Sequence, residues 1–213
     1  MKAQDLRTIV SSMQSFLHGA LLYDSGYFHV WISSAKGTVF FTNSNDKAFF
    51  ISLMQDELSP RKRLDDLKIT TSAHTADIDL LAYSLTPDGV HLLVHTSRKS
   101  AIEELGQILL LSYEGYLRQQ AKVNVLPFDT LFIFDKLVGR HEALQVSKEI
   151  HLLHDDWRYD RYSSIGFYLD DRRGDWMRPY RLTTLFENKS RNYLAFMKSR
   201  ETESDRLFEY LET

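Results

Sequence analysis

Leu81-Ala82-Tyr83-Ser84-Leu85-Thr86-Pro87-Asp88-Gly89-Val90-His91-Leu92-Leu93-Val94 is the stretch from which the fold can be read. Two runs rich in branched and aromatic residues flank Thr86-Pro87-Asp88-Gly89. Proline presets one turn dihedral and Asp-Gly tolerates the reversal that follows, so Asp77 to Leu85 and Val90 to Thr96 are expected as two strands of one hairpin.

Upstream, Tyr27 to Ser33 alternates as a strand does, Lys36-Gly37 makes a turn, and Val39-Phe40-Phe41 is a short apolar stretch. Asn43-Ser44-Asn45-Asp46 supplies helix caps, and Phe49, Phe50, Leu53, Met54 and Leu58 follow on one helical face. Ser59 to Asp66, with Pro60 and Arg61-Lys62-Arg63, reads as a loop. Met1 to Leu22 has apolar residues at helical spacing.

Downstream, Ser100 opens a long helix to about Gln120, with Ile102, Leu105, Ile108, Leu109 and Tyr116 recurring at helical spacing. Pro127 ends a loop, Leu131 to Val138 reads as a strand and His141 to His154 as a helix. Shorter helices are expected at Leu182 to Phe186 and Lys189 to Lys198. The order strand, helix, strand, strand, helix, strand predicts an α+β, ferredoxin-like antiparallel sheet with helices on one face. An N-terminal helix (1–22) precedes this core (23–156), and a basic, aromatic helical extension (157–213) follows it.

Composition narrows the classes of function. The 213 residues are 43% hydrophobic and 26% charged, ample for a packed core. There is no cysteine, which excludes a disulfide framework, a thiolate zinc site and a cysteine nucleophile. Net charge is -3, yet residues 157–200 carry ten basic and five acidic side chains. Such a segment suits a polyanion contact, and a solvated helical face accounts for it as well. No signal peptide or membrane span is visible, so the expected location is the cytoplasm.

Among residues that could carry chemistry, His91 and His95 are four apart in a strand, about 13 Å along one face, and cannot share a metal. His29 lies where the first strand could bring it to His91. His151 and His154, followed by Asp155 and Asp156, could hold a divalent cation or simply sit at a solvated helix end. No phosphate loop, nucleophile elbow or zinc-protease motif occurs.

The hairpin string resembles the centre of the single-tyrosine HUH transposases, in particular those associated with repetitive extragenic palindromes. Tyr27-Phe28-His29-Val30 resembles their opening strand, Asp46 to Leu58 their first helix, and Glu149-Ile150-His151-Leu152 their late helix. Trp157 to Leu169, with Ser163-Ser164 and Tyr168-Leu169, resembles the segment after it. The resemblance runs from about Tyr27 to Met197 and implies DNA transposition by a mobile-element enzyme. There, paired histidines and an Asn or Gln hold Mg or Mn on a scissile phosphate of single-stranded DNA, and a tyrosine attacks it.

This chain departs from that pattern at the reacting positions. The first metal His falls on Gly89, leaving His91; the nucleophilic tyrosine falls on Glu149; the metal-binding Asn falls on Leu153. Tyr116, with Gln120 four residues on, is a substitute nucleophile or a core residue. The resemblance therefore implies a transposase-like DNA-binding protein that has lost strand cleavage and, without it, needs no cofactor. Partners implied are single-stranded or hairpin DNA, with no membrane, and a homo-oligomer is compatible with the sequence. Contacts would come from Arg158, Arg161, Arg172, Arg173, Arg178 and Arg181, interleaved with Trp157, Tyr159, Tyr162, Tyr168, Trp176 and Tyr180. The same arginines could instead pair with Asp160, Asp170, Asp171 and Asp175 while the aromatics pack. An active transposase with other ligands, and a protein-interaction module that retains only the fold, are the alternatives.

Overall fold

The structure is a computed structural model, and it describes residues 25–34, 39–59, 77–121 and 130–199. The expected N-terminal helix, the Lys36-Gly37 turn, most of the loop after Ser59 and the loop at Pro127 lie outside the described residues.

Strand β1 (Gly26–Ser34) alternates as its sequence does. Phe28, Val30 and Ile32 enter one core, while Tyr27, His29 and Trp31 project from the opposite face. Helix α1 (Ser44–Leu58) begins at a capping box: the Asn43 side chain accepts from the Asn45 and Asp46 amides, and the Asp46 carboxylate accepts from the Asn43 amide. Phe50, Met54 and Leu58 form its buried stripe.

Strands β2 (Ile78–Leu85) and β3 (Gly89–Thr96) form the expected hairpin. The Thr86 amide donates to Gly89 O at 2.9 Å, and the Thr86 hydroxyl donates to Asp88 Oδ1 at 2.6 Å. Helix α2 (Ser100–Ala121) buries Ala101, Ile102, Leu105, Leu109 and Tyr113. Gly106 lets it approach β4 (Thr130–Leu137), since a Cβ there would stand 2.3 Å from the Phe132 ring.

The four strands are antiparallel in the order β2-β3-β1-β4, with β3 and β1 central. Helices α1 and α2 lie on one face over Phe28, Val30, Ile32, Leu80, Leu92 and Val94. Helix α3 (Gly139–His151) and the C-terminal extension add a second layer on the other face, over Leu81, Ala82, Leu93 and Leu137. A bulge serves this layer. Leu80 pairs with Val94 and Ala82 with Leu93, so Leu81 is an extra residue and both 81 and 82 reach the second core.

Helix α3 begins two residues earlier than expected and ends three earlier, at His151. His151 is fully buried, with Nδ1 2.8 Å from the Tyr193 hydroxyl and Nε2 2.7 Å from Ser164 Oγ. These partners fix the ring in the second core, and the chain turns at Leu152 and Leu153.

The extension carries α4 (Ile165–Tyr168), α5 (Tyr180–Thr183) and α6 (Ser190–Lys198). It also covers the outer edge of β2. Ser163 bridges Ser84 antiparallel, the Leu85 amide donates to Tyr162 O, and the Arg178 amide donates to Leu80 O. No helix among the described residues is long and apolar enough to cross a membrane.

Candidate nucleic-acid interface

Part of the second sheet face is left open toward β4. Cross-strand pairing sets Ser84, His91, Trp31 and Ile133 in one row across all four strands, and Leu93, His29 and Asp135 in the next. His91 lies beside two other rings. Its ring lies 5.7 Å from that of Trp31 at 15° and 5.4 Å from that of His29 at 17°, so three rings stand nearly parallel. His29 Nε2 is 3.1 Å from His91 Nδ1. Beyond Trp31, Ile133 and Leu131 are exposed on β4. The Trp31 Nε1 and Ser84 Oγ atoms are buried without a hydrogen-bond partner among the described residues.

Electrostatics keep this cluster neutral. Burial lowers the His91 pKa to about 4, the neighbouring His29 adds to the effect, and Asp88 opposes it. His29 is also lowered by burial, against the pull of Asp135. Both imidazoles are therefore uncharged at neutral pH, and charge for a polyanion has to come from elsewhere.

Gly89 sits at the mouth of β3, where a Cβ would fall 2.2 Å from Ile32 O and 2.9 Å from Ser33 Cα. No larger side chain fits on this backbone. Glu149 is on the exposed side of α3, and Leu153 is exposed in the turn after it. Tyr116 stacks on Phe49 at 4.0 Å and donates to Asp46 at 3.2 Å. That places it with α1 and α2, on the opposite side of the sheet from His91.

The cation implied by the resemblance can be tested against the donors present. Gly89 and Leu153 offer none, both His151 nitrogens are engaged within the core, and no group of three His, Asp or Glu among the described residues could hold a metal. Mg and Mn favour oxygen ligands, and His29 with His91 presents only two imidazoles. The residues do not fit that cation.

The arginines of the extension divide into two sets. Arg181 pairs with Asp79 at 2.6 Å, and Arg178 approaches Asp79 at 3.9 Å. Arg172 donates to the carbonyls of Asp160, Arg161 and Ser163 and lies over the Phe167 ring. These three hold the extension together and to β2. Arg158, Arg161 and Arg173 are exposed and make no ion pair among the described residues. Arg158 lies 5.7 Å over Tyr159, and Arg161 5.8 Å over Tyr162. With Asp160, Asp171 and Arg172 they line an open cleft of about 380 Å³.

The aromatics divide similarly. Trp176 stacks on Tyr83 at 5.5 Å, Tyr168 donates to Leu81 O, and Trp157 is half-buried against the second core. Tyr162 is half-buried, with Lys47 above its ring, while Tyr159 is 76% exposed. Trp31 was missed as a site residue at the sequence level. The signal was present, because the alternation of β1 puts residues 27, 29 and 31 on one face.

Fold and site together define a ferredoxin-like α+β domain whose central strands present a His-Trp ring cluster, with an arginine-lined cleft in the extension along the β2 edge. No protein-family model matches the chain, and no curated protein matches it in sequence. Among solved structures it is similar to a REP-associated tyrosine transposase bound to a REP hairpin. The identity is 10% and the TM-score 0.42, over 73% of this chain and 90% of that one.

Proposed function

We propose that the protein binds single-stranded nucleic acid, DNA with an unpaired or hairpin segment, and does not cut it through a phosphotyrosine. The observation that carries this is the near-parallel set of His29, His91 and Trp31 rings on the open half of the sheet, with Arg158 and Arg161 exposed in the extension along its β2 edge. Unpaired bases stack on exposed rings and arginine neutralises phosphate, the two contributions single-strand binders combine. Loss of cleavage is supported by α3, which contains no tyrosine, and by the steric exclusion at Gly89.

Fluorescence anisotropy of labelled single-stranded and hairpin oligonucleotides tests the reading. Three free arginines and a slope of about 0.7 per phosphate give an affinity about twentyfold weaker at 200 mM than at 50 mM salt. Chelator should leave binding unchanged. A covalent adduct formed with Mg or Mn would instead establish an active transposase, and no binding at 50 mM salt would favour a protein-interaction module.

A further inference from the structure

Resting on the nucleic-acid reading above, we propose that an unpaired base of the bound strand packs against Trp31 on its Ile133 side, while phosphates of the same strand reach Arg161 in the extension. The indole has two faces. His91 on β3 lies 5.7 Å from the ring on one side, and the register puts Ile133 of β4, 43% exposed, on the other. An apolar slot with one rigid aromatic wall and one movable aliphatic wall suits the face of a planar base.

The separation from the arginines can be read along the hydrogen-bonded row. Ser163 bridges Ser84, Ser84 pairs with His91, and His91 pairs with Trp31. Three strand spacings separate residue 163 from Trp31, about 14 Å. Arg161 stands two residues from Ser163, so positive charge lies at one end of this row and the apolar slot at the other.

The test is tryptophan fluorescence of the full chain titrated with a short oligothymidine at low salt, with anisotropy in parallel. Trp176 is buried, so in a Trp157→Phe background quenching on binding should come from Trp31 and disappear when Trp31→Phe is added. Trp31→Ala should weaken binding about 5- to 150-fold, the worth of one stacked base. Ile133→Glu, at an exposed site, should weaken binding while the urea midpoint stays unchanged, which separates loss of the slot from loss of the fold. If, in that background, Trp31→Phe quenches as its parent does, or Ile133→Glu binds as tightly, the slot is wrong. When that occurs while Arg158→Ala and Arg161→Ala still weaken binding, the nucleic-acid reading stands and only the slot falls. Wild-type protein that binds no oligonucleotide overturns both.

Discussion

At Gly89 the β3 backbone passes so near Ile32 and Ser33 that the missing side chain is a packing requirement. Gly89→Ala should therefore lower stability by about 1–3 kcal/mol, the usual cost of overpacking, seen as a lower urea midpoint. His151 makes a second prediction at this scale. Burial, with a contribution from Arg172, lowers its pKa from 6.5 to about 3. The unfolded chain binds the proton more readily, so the stabilisation is fully present above pH 6.5 and is lost as pH falls from there toward 3. Between pH 6.5 and 5 this group alone should cost about 2 kcal/mol, and His91, His29 and His95 shift the same way. His151→Gln should be weaker at neutral pH yet fall less on acidification, measured as urea midpoints at the two pH values.

Helix α1 and the hairpin were legible because their determinants are local. Asn43 and Asp46 are three residues apart and cap each other, and Asn43→Ala should cost about 1 kcal/mol in chemical denaturation. The end of α3 was not legible. Its position follows from Tyr193 and Ser164, which lie 42 and 13 residues from His151, and no local signal reports them. The arginines show the same limit: four aspartates lie near them in sequence within the extension, whereas Arg178 and Arg181 reach Asp79 on β2. Arg181→Ala should accordingly cost about 1 kcal/mol of stability, since the pair is partly exposed, and leave oligonucleotide affinity unchanged. Arg158→Ala should do the reverse. Measuring both quantities for both variants separates arginines that hold the extension from those left for a ligand.

For the whole molecule, one antiparallel sheet carries two unlike layers. The face under α1 and α2 is closed by Phe, Leu and Val packing, while α3 and the extension leave the His-Trp side of the other face open. Net charge of -3 says little about binding, because exposed arginines cluster in the extension along the β2 edge. The two outer edges of the sheet also differ. The extension hydrogen-bonds along β2, whereas among the described residues nothing pairs with the outer edge of β4. Backbone amides should record this as unequal exchange with deuterated solvent. Those of β2 are held from both sides and should open only with the core, while the outward-facing amides of β4 should exchange early. The wall of the proposed slot would then be the margin that breathes first, a place where a strand could enter without unfolding the rest.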